Sequence, residues 1–160
     1  MQTVEFIPKY GIPDVPFGSS RQHVRHVLTK QYSAGPPEPR GSETDCYFKS
    51  ALQFSFEDDD TLSFIEAAAA PPIFVVLLGI NTWEIDGAEL LERLKKVDSI
   101  ADEISEGGAN PIFRDNWITL WDLDEQYDRL GGEKNRKWGA IGIGDRRYYE
   151  AICKIHGANA

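Results

Sequence analysis

The chain has 160 residues, of which 41% are hydrophobic and 27% are charged, and its formal net charge is −9. This length suits one domain with its own core, and the 18 aromatic residues argue against a disordered chain. The negative charge argues against nucleic acid and anionic membranes as partners, because both present phosphate groups that it would repel.

Most of the negative charge lies in the middle of the chain. Residues 57–128 hold 18 acidic and four basic side chains, whereas the segments before and after them carry net charges of +1 and +4. A surface with this distribution attracts cations. We therefore expect a basic protein as the partner.

The start of the chain has no basic segment followed by an apolar run, so we expect no secretion signal. The longest apolar stretch, residues 67–80, contains two prolines and is too short to span a bilayer. Cys46 and Cys153 have no metal-ligand spacing and are expected to be reduced thiols. These features predict a cytoplasmic protein.

The first predicted helix begins at Ser19, which can form a capping box with Gln22. Its apolar stripe consists of Val24, Val27, Leu28 and Tyr32. The proline-rich segment 33–43 ends this helix, because proline lacks a backbone donor and resists helical geometry.

Three strands are predicted after the first helix. Residues 47–56 alternate between apolar and polar side chains, and residues 61–66 return as the partner strand after a tight turn at residues 58–60. Residues 73–80 form a continuous aliphatic run, which is typical of a strand buried on both faces.

The second predicted helix is capped by Asp86 with Glu89 as its capping-box partner, and Ile85 and Leu90 occupy the hydrophobic staple positions. Its buried stripe is expected to contain Leu90, Leu91, Leu94 and Val97. Three further strands are predicted at residues 117–123, 138–143 and 148–155.

Each helix is thus followed by three strands. Shifting the first half by 66 residues aligns Ser20 with Asp86, so the pattern repeats although the identity is slight. We predict one α+β domain, residues 1–160, built from two helix-plus-three-strand meander units with halves at about 17–80 and 84–155. Both helices are expected to pack on one face of an antiparallel sheet.

The patterns indicate no cofactor, no metal and no catalytic residues. The aspartates of residues 58–60 lack the alternating spacing of a calcium loop, and aspartate is common in turns. The glycines of residues 139–144 do not follow the order of a dinucleotide-binding loop. An enzyme would need His23, His26 or Cys46 to converge on acidic residues, so we predict that the protein is not an enzyme.

The candidate site is the acidic surface, in which aromatic residues lie close to carboxylates. Carboxylates accelerate encounter with a basic protein, and aromatic side chains supply buried contact. The predicted interface carboxylates are Glu57, Asp58, Asp59, Asp60, Asp98, Asp102, Glu103, Glu106, Asp122, Asp124, Glu125 and Asp128. The predicted aromatic anchors are Trp83, Trp121 and Tyr127. Ordinary solubility is the alternative explanation of these charges.

The segment 17–28 reads F-G-S-S-R-Q-H-V-R-H-V-L. It resembles the first-helix opening F-G-x-S-R-x-x-V-R-x-x-L of small bacterial proteins, some of which resemble immunity proteins of polymorphic toxin and contact-dependent inhibition systems. The resemblance implies a non-enzymatic cytoplasmic inhibitor that binds one cognate toxin domain, often a basic nuclease. The acidic middle is consistent with this role, because a nuclease needs positive charge to hold phosphate.

Two hypotheses follow for the function. The first is an immunity or inhibitor protein that neutralises a basic, nuclease-type toxin domain by occlusion; it predicts salt-sensitive association. The alternative is a regulatory module that binds a small molecule or peptide in an apolar pocket between helix and sheet. That alternative predicts thermal stabilisation by a small ligand with little dependence on salt.

Overall fold

The computed structural model describes residues 1–68, 71–123 and 136–160, and they form an α+β fold. The strands of these residues are β1 (Gln2–Phe6), β2 (Gly11–Ile12), β3 (Val15–Pro16), β4 (Glu38–Arg40), β5 (Thr44–Tyr47), β6 (Leu52–Phe56), β7 (Leu62–Ala68), β8 (Ile73–Leu77), β9 (Ile80–Asn81), β10 (Ile118–Trp121) and β11 (Ala140–Gly144). The α-helices are α1 (Arg21–Gln31), α2 (Gly87–Lys95) and α3 (Arg146–Ile155). Two 3₁₀ turns, Asp102–Ile104 and Glu106–Gly108, lie between α2 and β10.

The central sheet has six strands in the order β10-β11-β7-β6-β5-β4, and every neighbouring pair is antiparallel. The hairpin β6–β7 and the strands β10 and β11 lie in regions where the sequence predicts strands. The two predicted meander units are not separate, because β7 pairs directly with β11 in one sheet.

Strand β8 belongs to a different, three-stranded sheet, in the order β1-β8-β9. It pairs in parallel with β1, from Gln2 opposite Ile73 to Phe6 opposite Leu77. Its residues are alternately buried and half-buried, so the prediction of a strand buried on both faces is wrong. A sequence pattern contains no information on a partner strand some 70 residues away, and the β1 segment was not predicted as a strand.

One face of the central sheet forms the main core. Alternate residues of its strands, including Phe54, Ile65 and Ile141, are fully buried there. Val24 of α1 and Leu90 of α2 belong to the same cluster, together with residues of β1 and β8. Both predicted helices therefore contribute to one core.

The other face of the sheet is covered in part by α3. The Phe64 ring of β7 stacks on Tyr148 of α3 with a centroid distance of 4.0 Å. Gly144 permits this approach, because a Cβ there would lie 2.3 Å from Tyr148 Cδ1. A second, smaller core lies beneath α3, formed by Ala101, Ile104, Ile112, Tyr149 and Cys153. The two predicted helices thus share the core on one face of the sheet, and α3, which was not predicted as a helix, packs on the other face.

The predicted strand at residues 148–155 is also wrong, because this segment forms α3. The Asp145 side chain caps the helix by accepting a hydrogen bond from the Tyr148 backbone N–H. Tyr149 and Cys153, four residues apart, are buried on one side of the helix. The short apolar run is compatible with the helical period and with strand alternation, and the cap at Asp145 indicates the helix.

The two predicted helices are confirmed with small changes. Ser20, rather than Ser19, caps α1 by accepting from the His23 backbone N–H, so the predicted Ser19–Gln22 capping box is wrong. Asp86 caps α2 as predicted, accepting from the Ala88 backbone N–H. Val97 lies beyond the end of α2 and is 61% exposed, so it does not belong to the buried stripe.

The predicted strand at residues 47–56 contains the last residue of β5, then a turn, and then the whole of β6. Phe48, Lys49 and Ser50 all have positive φ, between 53° and 65°. None of these residues is a glycine or an asparagine, the usual signal of a left-handed turn. The sequence therefore contained no recognisable sign of this reversal.

Within the described part of the chain, no helix combines the length and the apolar character needed to cross a bilayer.

Candidate functional site

A cavity of about 170 Å³ lies between α3, the 3₁₀ segment and the partly covered face of the sheet. Its lining residues are Glu66, Ile104, Glu106, Asn110, Ile112, Thr119, Leu120, Trp121, Tyr148, Ile152, Ile155 and His156. Two large apolar side chains of this lining reach solvent: Trp121 is 48% exposed and Ile155 is 81% exposed. The cavity thus joins an apolar interior to an exposed apolar rim.

Glu66 places a carboxylate in this cavity. In the sheet it stands opposite Gly142 of β11, which in turn stands opposite Thr119 of β10. Directly opposed residues of antiparallel strands lie on the same face, so the three positions form one row beneath α3. Burial raises the pKa of Glu66, and the more distant charge of Arg40 opposes this effect only in part.

An acidic and aromatic group lies beside the cavity. Asn110 donates a hydrogen bond from Nδ2 to Glu106 Oε2 at 2.8 Å, and its Oδ1 accepts from the Asp122 backbone N–H at 3.5 Å. Trp121 precedes Asp122 and lines the same cavity as Glu106. The structure therefore brings three predicted interface residues together: Glu106, Trp121 and Asp122. We call these three residues the Trp121 cluster.

The predicted carboxylates of the β6–β7 turn occupy a different place, beside the start of α1. Asp58, Asp59 and Asp60 are exposed there. Arg21 Nη1 lies 3.2 Å from Asp60 Oδ1, and Arg147 Nη1 lies 4.0 Å from Asp59 Oδ1. These neighbouring arginines offset part of the negative charge of the turn.

The Asp59 carboxylate also accepts hydrogen bonds from its own turn. Its Oδ1 accepts from the hydroxyl and the backbone N–H of Thr61. These hydrogen bonds lower the pKa of Asp59, with the Thr61 hydroxyl as the largest cause. Asp59 thus stabilises the turn itself, as aspartate commonly does.

Asp98 is buried, with an exposed fraction of 8%. Its carboxylate accepts hydrogen bonds from the backbone N–H groups of Ser99, Asp115 and Asn116, at 2.7, 3.0 and 2.7 Å, and from Asn116 Nδ2 at 3.0 Å. These bonds fix the loop that precedes β10. The carboxylate is therefore engaged within the fold, contrary to the prediction of a surface interface position.

Two other predicted carboxylates, Asp102 and Glu103, are exposed on the first 3₁₀ turn. Arg114 binds Glu103 through two hydrogen bonds, at 2.6 and 2.9 Å, which lower the pKa of Glu103.

Trp83 lies apart from the cavity, half-buried between Phe74 and the Lys137 ammonium. Glu57 is half-buried at the start of the β6–β7 turn. The remaining predicted residues, Asp124, Glu125, Tyr127 and Asp128, lie outside the described residues.

Comparison with protein-family models, with curated proteins and with solved structures gave no significant match. The case for a function therefore depends on the residues and the geometry described above.

The histidines and cysteines are dispersed across the fold. His23 Nε2 lies 2.8 Å from the Asp14 carbonyl oxygen, His156 lines the cavity, and Cys46 and Cys153 are buried free thiols. Within the described residues, no three His, Cys, Asp or Glu side chains come close enough together to hold a metal ion.

Sequence reasoning missed Glu66, Tyr148 and Ile155 as parts of a site. Glu66 lies in the acidic middle of the chain but was assigned only to a strand, and the other two were assigned to a strand that is a helix. One signal was present in the sequence: in the pattern of β7, Glu66 alternates with the buried residues Ile65 and Ala67. To recognise this carboxylate as part of a site, one would have needed to know which segment covers the second face of the strand.

Proposed function

We propose that this protein binds a basic protein of the nuclease-toxin type and neutralises it by covering the surface that holds its substrate. The observation that carries the proposal is the Trp121 cluster: a half-exposed tryptophan and the Glu106 carboxylate line one apolar cavity, and Asn110 links Glu106 to the backbone of Asp122. A tryptophan in such a setting is a typical interface hot spot. The surrounding carboxylates would select a cationic partner and accelerate its approach.

The distribution of the other carboxylates supports this choice of surface. The β6–β7 turn is offset by Arg21 and Arg147, Asp98 is buried, and Glu103 is paired with Arg114. In contrast, Glu106 makes a hydrogen bond only to a neutral amide among the described residues. The Trp121 cluster therefore combines exposed aromatic area with Glu106, a carboxylate that forms no ion pair with a described residue.

The test is capture of the partner from native lysate by the tagged full chain at low and at high salt, followed by an activity assay of the captured protein. We expect one basic partner, bound more weakly at high salt, whose nuclease activity falls on adding an equimolar amount of the purified chain. Trp121→Ala should weaken this binding by about 30-fold, the loss expected for a hot spot worth about 2 kcal/mol.

The charges of the cluster are tested by the double variant Glu106→Lys and Asp122→Lys, which should abolish capture. A matched control is Glu38→Lys with Glu43→Lys, which makes the same change in net charge on exposed residues of β4 and the turn after it. Equal effects of the two double variants would show that net charge alone governs binding. Absence of any basic partner at low salt would refute the proposal.

A second candidate function, a module that binds a small molecule or a peptide, is favoured by one observation. The cavity between α3 and the sheet lies where this alternative places its pocket, between helix and sheet. Its test is a thermal-shift screen of small ligands, in which a hit should raise Tm to a similar degree at low and high salt. No hit would leave the inhibitor as the better proposal.

A further inference from the structure

The carboxylate of Glu66 lines the cavity and has no hydrogen-bond or ion-pair partner among the described residues. Arg40, the cation that acts on it from a distance, donates to Gln53 instead. Burial already raises its pKa, which is the sign of a charge that lacks compensation. A bound cation would supply that compensation.

The cavity has room for one side chain rather than for a cofactor. Its volume of about 170 Å³ is close to the roughly 150 Å³ of an engineered cavity that binds benzene. Pockets for drug-sized ligands occupy about 300–1,000 Å³. Ile112, Leu120 and Ile152 line it with aliphatic surface, which suits the stem of a long side chain.

The charge of the lining favours a cation over an anion. The cavity is lined by two carboxylates, Glu66 and Glu106, and by no lysine or arginine among the described residues. Its other polar side chains are those of Asn110, Thr119, Tyr148 and His156. The two carboxylates would repel a phosphate or carboxylate ligand. They would attract an ammonium or guanidinium group, and no lysine or arginine of the lining would repel it.

We propose that this cavity receives one arginine or lysine side chain of the basic partner, with its aliphatic stem against Ile112 and Ile152 and its charged end at Glu66. The assignment rests on the proposed function and deepens it, because it names the contact by which the partner is recognised. Trp121 and Ile155, at the exposed rim, would then cover the partner's backbone around that side chain.

The first test uses two capped tripeptides that differ only in charge, acetyl-Gly-Arg-Gly-amide and acetyl-Gly-citrulline-Gly-amide. Citrulline has nearly the shape of arginine but is neutral. Titration into the full chain is followed by the indole N–H resonance of Trp121, with the Trp138 indole, which donates to the Gly87 carbonyl, as an internal reference. We expect the arginine peptide to bind about tenfold more tightly or better, the ratio for one charge-assisted hydrogen bond.

The second test replaces the carboxylate. Glu66→Gln should remove the preference for arginine over citrulline, whereas Glu43→Gln, the same change at an exposed position on the turn before β5, should preserve it. Equal binding of the two peptides to the unmodified chain, or no change in the Trp121 resonance with either, would overturn the proposal. An unchanged preference in Glu66→Gln would overturn the role of Glu66.

The outcome for the partner itself separates this inference from the proposed function. If a basic partner is captured and inhibited but Glu66→Gln binds it as tightly as the unmodified chain, the side-chain assignment fails and the proposed function stands. If no partner is captured but the arginine peptide still binds through Glu66, the proposed function fails. The preference of the cavity for a cationic side chain then stands alone.

Discussion

The two faces of the central sheet differ in how completely they are covered. On one face, Phe54, Ile65 and Ile143 have no exposed surface and pack with α1, α2 and the smaller sheet. On the other face, α3 covers part of the sheet and leaves a cavity beside Trp121. The same strands thus form a closed face that holds the fold together and a partly open face with the features of a binding surface.

The difference can be traced to the residues at alternate positions of each strand. In β11 the closed face receives Ile141 and Ile143, and the other face receives the small residues Ala140, Gly142 and Gly144. In β7 the closed face receives Ile65, and the other receives Phe64 and Glu66. Small and polar side chains on the second face limit how much apolar surface α3 can bury there.

The largest effect on stability is expected from the closed face. Phe54→Ala removes a fully buried ring that packs edge-on against Tyr47, and we expect a loss of about 3–5 kcal/mol in the free energy of unfolding. Trp121→Ala, on the partly open face, should cost less than about 1 kcal/mol, because this residue is already 48% exposed. Urea unfolding of both variants measures the contrast, and similar losses would contradict it.

The next effect concerns the loop that leads into β10 at the edge of the partly open face. Asp98→Ala leaves three backbone N–H groups and one side-chain amide without their acceptor, and we expect a loss of about 2–4 kcal/mol. Asp102→Ala, at an exposed position four residues later, should stay within about 0.5 kcal/mol. Urea unfolding distinguishes the two aspartates. A small effect at Asp98 would return it to the set of candidate interface residues.

A smaller effect is expected from filling the space above Gly142. A Cβ at this position would lie 2.5 Å from both Phe64 Cζ and Thr119 Oγ1, so Gly142→Ala should lower the free energy of unfolding by about 1–3 kcal/mol. Gly35→Ala is the control, because the added methyl group would have no atom within 4 Å beyond its chain neighbours, and it should be neutral to within about 0.5 kcal/mol. Equal Tm values for the two variants would show that the partly open face yields to the extra atom.

The smallest effect is a dependence of stability on pH that arises at Glu66. Burial raises the pKa of Glu66 in the folded protein, so ionisation of Glu66 above that pKa lowers the free energy of unfolding. Below the pKa of the unfolded chain, about 4.3, the side chain is protonated in both states and this destabilisation is absent. Glu66→Gln should therefore have a higher Tm than the unmodified chain at pH 7 and the same Tm near pH 4. Glu43→Gln, on an exposed side chain, should match the unmodified chain at both pH values. A lower Tm of Glu66→Gln at pH 7 would contradict the burial argument.

The sequence was sufficient for features that depend on a few neighbouring residues. The stripe of α1 and the Asp86 cap of α2 follow from the helical period and from capping chemistry, which act within one or two turns. The hairpin β6–β7 follows from strand alternation on either side of an aspartate-rich turn. The shift that aligned Ser20 with Asp86 even aligned the two residues that cap α1 and α2.

Features that depend on distant parts of the chain were not accessible from the pattern. The last apolar run fits a strand as well as a helix, and its packing beneath the sheet, with Tyr148 on Phe64, accompanies its helical form. The burial of Asp98 follows from a loop 17 residues further on. The cavity forms where three segments, each predicted or overlooked separately, meet on one face.

The sequence alone established an acidic α+β chain with two capped helices, because composition, periodicity and caps are local properties of the amino acids. Only the folded arrangement selected which carboxylates are neutralised, which are buried and which lie beside an exposed tryptophan. The physical reason is that the effect of a charge depends on its neighbours in space. The packing of α3 on the sheet brings together Glu66, Thr119 and Tyr148, which are up to 82 residues apart in the chain.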